Sequence, residues 1–577
     1  MLKECLEVFE EILKKEENLI LDSYIPADGT YIFVDAQGKM KEPIEIELNK
    51  KTREIVSSNS ELSEVCFYDY HSQLVSMNKP VDTKKIIHSN NYYSFFVKKE
   101  SVVTKKLAET IIDGYYEMLK NPLEQKYKKS KEASKLYEVF EESAGSVPLD
   151  ELEKNKEWIK SHIFNLENVD FNKKNYLKIF FETEHDNIIR EERRYLLPNI
   201  YNNNDYNVEI EGTIHGLPDN NMGMNAKKPY LETKTRKIAV PYLLDSADVM
   251  LQREFFNYLM NMACAGKCDV YIDTVKKRIW GYRQEETPQD VIAGYYLRIK
   301  KGKELEIQNQ DNIAGFSQNL TPPFDFKNIC DFQHLKHPEY LEKYKRYYTH
   351  EEVGKLIHEV FFSKYLENNY AVQANEINIT DTIIKNSILI SRDVIQAWVR
   401  RGADYGFFKI LEKVSLDLMK SAVLNGYQER ALWQLNLRWS FENYFLKGDE
   451  NMGTNKQEFV EAIKRKIYTE TEMFLENDEE YYYIVGQMAA YLFSQSKAKN
   501  KNQSLINPFL NAKKDEVIKL KLAQLYKKYN YAIPLNMKRV RRMMALIEGY
   551  IPDGTVNQEM IIFGFTNNNL IYTKEEK

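Results

Sequence analysis

Apolar residues follow two different patterns along the chain, and the change falls near residue 345. Before it, runs rich in β-branched and aromatic residues alternate with charged helical stretches. Five of these runs predict strands: "YIFVDAQGKMKEPIEIEL", with two strands around a glycine-containing turn, "NYYSFFVKK", "YLKIFFETE", "YNVEIEGTIHG" and "DVYIDTVKKRIWGY". The stretch "IAGFSQNLTPPFDF" contains a proline pair and predicts a loop.

After residue 345 the apolar residues recur at intervals of three and four, which predicts helices. The stretch "THEEVGKLIHEVFFSKYLE" shows this spacing, and Thr349 followed by Glu352 predicts a capping box at the start of its helix. The predicted fold class is therefore α+β. We expect an N-terminal mixed α/β domain with antiparallel strands over residues 1–345, followed by an all-α helical bundle over residues 346–577.

The amino-acid composition excludes few classes of protein function. The chain has 577 residues and a formal net charge of -5, so nothing in its overall charge favours nucleic acid, and any such site must be local. Its five cysteines are few and odd in number, which favours a reducing compartment. The first twenty residues lack the apolar core of a signal peptide, and no apolar run is long enough for a bilayer. We expect a cytoplasmic protein with no membrane partner.

Positive charge is concentrated late in the chain. Residues 481–550 contain thirteen Lys and Arg against three Asp and Glu. Grooves for single strands combine such charge with aromatic platforms, and tyrosine is plentiful here. An ordinary solvated surface is the alternative. The candidate nucleic-acid-binding residues of this region are Lys497, Lys499, Lys501, Lys538, Arg541 and Arg542.

A second basic stretch, "GLPDNNMGMNAKKPYLETKTRK", lies in the middle of the chain. Its asparagines have the amide groups with which proteins read base edges, and its lysines and arginine suit phosphates. A surface loop without a ligand is the alternative. The candidate nucleic-acid-binding residues here are Asn220, Asn221, Asn225, Lys227, Lys228, Lys234, Arg236 and Lys237.

Sequence motifs for catalysis are weak. The dipeptide His185-Asp186 is similar to part of a metal-dependent phosphohydrolase site. Such a site needs further His and Asp ligands, for which His162 and His215 are candidates. The spacing of "CAGKC" does not suit zinc, and no phosphate loop or nucleophile elbow is present. We expect no metal, no cofactor and no enzymatic activity. A metal-dependent nuclease and a general nucleic-acid-binding scaffold remain the alternatives.

Several stretches together resemble one family. "GQMAAYLFSQSKAKNKNQSLINPFLNAKK", "YAIPLNMKRVRRMMALIEGY", "MIIFGFTNNNLIY" and the central basic stretch resemble the large subunit of type I-B CRISPR interference complexes, called Cascade. The resemblance covers the C-terminal third well and the middle in patches. It implies a non-catalytic subunit in antiviral defence, which binds foreign DNA under the direction of a guide RNA.

The resemblance also implies partners and roles. The partners are the guide RNA, target double-stranded DNA, the backbone and 5′-handle-binding subunits, a small subunit and the helicase-nuclease that the large subunit recruits. The N-terminal domain would contact the 5′ end of the guide RNA and read the protospacer-adjacent motif. In this scheme Asn220, Asn221, Asn225, Lys227 and Lys228 lie at the motif-reading edge, and Lys234, Arg236 and Lys237 bind phosphates nearby. The late basic residues guide the displaced strand or contact the guide–target duplex, and so stabilise the R-loop.

The small subunit has a possible origin within this chain. In the family it can arise by internal translation of the large-subunit message, and "LKGDENMGT" can be encoded with a ribosome-binding sequence before Met452. Starting there gives residues 452–577, whose charge is +4, against -9 for the rest of the chain. A plain loop between helices is the alternative.

Overall fold

The protein is described from a computed structural model and divides into two compact units. The first comprises Met1–Thr287 and Ile292–Gly315, and the second comprises Pro288–Val291 and Phe316–Lys577. The change of pattern near residue 345 falls inside the second unit. The structure describes residues 1–49, 55–56, 61–128, 130–219, 240, 242–284, 286–302, 305–329, 345–447, 452–469, 474–496, 505–534 and 536–573.

The first unit mixes helices and strands. Its helices are α1 (Leu2–Leu13), α2 (Leu19–Ser23), α3 (Leu62–His71), α4 (Lys99–Val103), α5 (Glu109–Lys120), α6 (Lys131–Ala144), α7 (Leu149–His162), α8 (His185–Leu196) and α9 (Ser246–Cys264). Its strands are β1 (Gly29–Val34), β2 (Ile44–Ile46), β3 (Ser94–Lys98), β4 (Tyr176–Phe181), β5 (Val208–Ile210), β6 (Thr213–His215), β7 (Asp269–Asp273), β8 (Arg278–Tyr282), β9 (Ile292–Lys301) and β10 (Leu305–Phe316), which ends at the boundary between the units. Each of the five stretches predicted as strands forms one or two of them, so those predictions are confirmed.

Two four-stranded sheets organise the first unit. One has the order β2-β1-β4-β3, with β1 and β4 parallel and the outer strands antiparallel to them. The apolar sequences of these two central strands are explained by burial on both faces. Lys178 is the charged exception in β4, and it forms a buried ion pair with Asp69, which also accepts a hydrogen bond from Tyr24. The other sheet has the order β10-β9-β7-β8, and its core is shared with α1 and α9.

The second unit is mainly helical, and the α+β fold class is therefore confirmed. Between residues 350 and 573 the described residues form helices and turns but no strand. Its elements are β11 (Asn319–Asp325), β12 (Arg346–Thr349), α10 (His350–Val360), α11 (Thr382–Arg401), α12 (Phe407–Leu424), α13 (Gln428–Glu442), α14 (Met452–Tyr468), α15 (Asp478–Ser494), α16 (Asn507–Leu510), α17 (Asp515–Tyr529), α18 (Lys538–Gly549) and α19 (Gln558–Thr566).

The boundaries of α10 confirm one local prediction. The Thr349 side chain accepts a hydrogen bond from the Glu352 backbone N–H, and the Glu352 carboxylate accepts one from the Thr349 backbone N–H. These two bonds satisfy donors that the start of a helix leaves without intrahelical partners.

The prediction of a loop over residues 313–326 is wrong. Residues 313–316 complete β10, and Asn319–Asp325 form β11, which pairs with β12 in a two-stranded sheet. The register of this pair shifts between Asn319 and Phe324, and Pro322 and Pro323 lie in that interval. Proline is tolerated there because an interrupted ladder does not need its missing N–H.

The helices α15 and α19 cross with their backbones almost in contact. A Cβ atom on Gly486 would lie 2.2 Å from the Ile561 carbonyl oxygen, and one on Gly564 would lie 2.0 Å from the Tyr483 carbonyl oxygen. The buried Gln487 side chain bridges the helices by donating to the Gly564 carbonyl at 2.6 Å. Only glycine at both positions permits this approach.

Replacing Gly564 by alanine is expected to destabilise the second unit by about 1–3 kcal/mol, because the added methyl overpacks the crossing. Gly549→Ala is the control, since a Cβ there meets nothing within 4 Å. Urea denaturation followed by pulsed hydrogen exchange and mass spectrometry reports on peptides of this unit alone. Equal stabilities of the two variants would contradict the role assigned to the crossing.

Candidate nucleic-acid interface

The structure describes three of the candidate residues, Lys538, Arg541 and Arg542, all on α18. The others lie outside the described residues, so their proposed roles stay predictions. They are Asn220, Asn221, Asn225, Lys227, Lys228, Lys234, Arg236, Lys237, Lys497, Lys499 and Lys501.

Helices α17 and α18 both pack on α15 and run in opposite directions; together they are called the hairpin. At one end the Lys519 ammonium donates to the Tyr550 carbonyl at 2.6 Å, which joins the first half of α17 to the end of α18. Tyr481, early in α15, stacks on Tyr550 with ring centroids 5.3 Å apart. At the other end Tyr491, late in α15, donates to the Met537 sulfur at 3.2 Å. The connection between α17 and α18 therefore lies beside the carboxyl-terminal half of α15.

Exposed positive charge gathers where the two helices of this hairpin are connected. Lys527 and Lys528 are exposed in the last turn of α17, and Lys538 and Arg541 are exposed in the first turn of α18. Tyr531, in the connection, is 63% exposed. These five residues are called the basic hairpin end. The sequence from 517 to 547 contains eight Lys and Arg and no Asp or Glu. The acidic residues of the hairpin, Asp515, Glu516 and Glu548, lie at its opposite end.

The two remaining arginines of α18 have structural contacts. Arg542 is half-buried and donates to the carbonyls of Ile467 and Tyr468 at 3.2 and 2.6 Å, which are orphan acceptors at the end of α14. Arg539 donates to the Thr573 carbonyl at 2.7 Å, and its guanidinium lies 3.9 Å from the centre of the Tyr468 ring. These contacts hold α18 in place. The predicted contact of Arg542 with nucleic acid stays a prediction.

A second aromatic side chain is exposed near the same end. Tyr572 is 55% exposed, and its ring centroid lies 5.7 Å from that of Tyr491. Its hydroxyl contacts the Ser494 hydroxyl at 3.0 Å and accepts from the Gln495 amide at 2.8 Å. Exposed cations beside aromatic faces are the combination that binds single-stranded nucleic acid, because the cations contact phosphates while the rings stack on bases.

Sequence reasoning missed part of this surface. Lys527, Lys528 and Tyr531 were not among the candidates, although the long run without acidic residues included them. The run did not show which of its cations are exposed. That depends on α15, which lies more than twenty residues earlier in the chain and covers one side of the hairpin.

The histidines considered for a metal site have other contacts. The His185 ring stacks on Phe67 with centroids 3.7 Å apart, and its Nε2 lies 3.0 Å from the Glu64 carboxylate. His162 stacks on Trp158 at 4.4 Å, and the Nδ1 of His215 lies 3.1 Å from the Thr213 carbonyl. In the described ranges, no group of three or more His, Cys, Asp or Glu side chains is arranged to hold a metal ion.

The described cysteines are free thiols. Burial raises the pKa of Cys5 to about 12 and that of Cys66 to about 11. Both therefore stay protonated near neutral pH, which makes them poor nucleophiles. Cys264 and Cys268, the pair in "CAGKC", are half-buried.

Comparison with known proteins finds no matching family model, no matching curated protein and no matching solved structure. Within the described residues, no helix combines the length and the apolar character that crossing a bilayer requires.

Reversing two charges of the basic hairpin end is expected to weaken single-strand binding. The double variant K527E/K528E removes two phosphate contacts, so the negative slope of log affinity against log salt should become shallower by about 1.4. Fluorescence anisotropy with a labelled single-stranded oligonucleotide, at several salt concentrations, measures this slope.

The control K409E/K413E makes the same change of net charge at two exposed lysines of α12. It should leave the slope unchanged. Equal losses in the two double variants would show that binding follows net charge and not this surface.

Proposed function

We propose that this protein is the non-catalytic large subunit of a type I-B CRISPR interference complex, acting in the cytoplasm to bind foreign DNA under the direction of a guide RNA. The observation that carries the proposal is the basic hairpin end, where four exposed cations lie in the two helical turns that flank an exposed tyrosine. The three C-terminal stretches that resemble this family include α18 and parts of α15 and α19, while α17 lies between the first and the second stretch.

The charge distribution supports a subunit that binds DNA only after the guide RNA has found its target. A chain with net charge -5 has no general attraction to nucleic acid, so it avoids random DNA. A compact basic surface binds a strand whose local concentration is already high, as it is after the guide RNA has paired with its target. In this proposal the basic hairpin end guides the displaced strand and stabilises the R-loop. Motif reading belongs to the central basic stretch, and recruitment of the helicase-nuclease follows binding.

We further propose that residues 452–577 are also made separately as the small subunit. Helix α14 begins at Met452. In the large subunit α19 packs on α13: Trp439 and Phe563 have ring centroids 5.1 Å apart, and Arg438 pairs with Glu559 at 2.6 Å. A separate chain of residues 452–577 would expose this apolar face. It would therefore need a partner surface to cover the face that α12 and α13 cover here.

Co-purification tests the proposal directly. The protein, affinity-tagged and expressed at its native level in its own cells, should co-purify with one RNA of short, uniform length and with a repeated backbone subunit. Recovery of RNA of random length, or of no RNA, would contradict the assignment and favour a general nucleic-acid-binding scaffold. Cleavage of single-stranded DNA by the purified protein with manganese would contradict its non-catalytic role.

A further inference from the structure

A small cavity in the first unit is lined by tyrosines, two asparagines, three charged residues and four apolar residues. Its volume is about 30 Å³. That is room for a water pair or one small anion, and not for a nucleotide. Its lining includes Asn90, Asn91, Lys126, Glu191, Arg194 and Tyr195, which come from distant parts of the first unit.

Lys126 lies at this cavity without a carboxylate partner. Its ammonium donates to the Lys79 carbonyl at 3.3 Å and lies 4.8 and 5.7 Å from the centres of the Tyr195 and Tyr127 rings. Lys79 is a second cation, and its own ammonium donates to the Tyr201 carbonyl at 2.6 Å. Ring faces and carbonyls attract an ammonium group, but they do not neutralise it as a carboxylate would.

Arg194, which is 5% exposed, supplies a second donor. Its Nε and Nη2 donate to Glu191 at 2.8 and 3.2 Å. Its Nη1 is buried and makes no hydrogen bond, although a Glu141 oxygen lies 3.7 Å away. Leaving such a charged donor unsatisfied costs free energy, and buried donors of this kind normally have a protein, water or ligand acceptor.

We propose that this cavity binds a small oxyanion of the phosphate class, with Lys126 and Arg194 as its charged donors. An oxyanion supplies both what Lys126 lacks, a counter-charge, and what Arg194 Nη1 lacks, an acceptor. The side-chain amides of Asn90 and Asn91 already bond within the protein, to backbone carbonyls and to side-chain oxygens. They fix the shape of the cavity. The site lies outside the basic hairpin end and does not depend on the proposed function.

The surroundings of Lys126 also lower its pKa. Burial, and to a smaller degree the charge of Lys79, lowers the pKa of Lys126 to about 7. The other charged groups at the cavity are Glu191 and Arg194, which pair with each other. A bound anion would raise this pKa, and a rise of about one unit lowers the unprotonated fraction at pH 7 about fivefold.

Amine labelling of the wild-type protein tests the site. The protein is acylated with a water-soluble acetyl ester at pH 7, in increasing inorganic phosphate, with sodium chloride compensating the ionic strength. Peptide mass spectrometry then follows Lys126, with the exposed Lys128 as an internal control. Acylation of Lys126 should slow about fivefold, saturably, while that of Lys128 stays unchanged. Unchanged labelling of Lys126, or equal slowing by chloride alone, would overturn the proposal.

Calorimetry with inorganic phosphate gives a second measurement. Lys126→Met keeps most of the side-chain volume and removes the charge. This variant should show no heat of phosphate binding. Lys128→Met, two residues away, should retain it. Phosphate binding that is unchanged in Lys126→Met would also overturn the proposal.

Discussion

The near-contact of the α15 and α19 backbones is the constraint on which the second unit depends. Gly486 and Gly564 remove the side chains that would hold these helices apart, and Gln487 ties them together. Close packing lets α15 present two tyrosines to the hairpin: Tyr481 stacks on Tyr550, and Tyr491 bonds to Met537. The position of the basic hairpin end thus follows from two glycines and two tyrosines that carry no charge.

The four basic residues of α18 have two different roles. Arg539 and Arg542 satisfy backbone carbonyls at the end of α14 and near the C-terminus, while Lys538 and Arg541 are exposed one turn apart. Bonds from arginine to these carbonyls order the helix. The backbone that carries the exposed cations is therefore already ordered, which lowers the entropic cost of binding. Two pairs of cations with the same three-residue spacing therefore form a scaffold side and a binding side of the helix.

The sequence predicted those features whose residues lie close together along the chain, and it missed those whose residues lie far apart. The capping box of Thr349 and Glu352 is confirmed because its signal lies within four residues. The five strand predictions are confirmed because β-branched and aromatic alternation is also local. Strand β11 was missed, since Pro322 and Pro323 indicate a loop unless the partner β12 is known. The exposure of Lys527 depends on α15, which lies far from it in the sequence. The cavity at Lys126 is assembled from segments more than a hundred residues apart. Neither feature could therefore be predicted from the spacing of residues along the chain.

In our proposal, unpaired nucleic acid runs along the basic hairpin end. Photo-cross-linking tests this path, with single-stranded DNA containing 4-thiothymidine at successive positions and peptide mass spectrometry of the product. Cross-links are expected to concentrate on the peptides containing Tyr531 and Tyr572. Cross-links confined to the first unit, or spread evenly over exposed lysines such as Lys409, would contradict it.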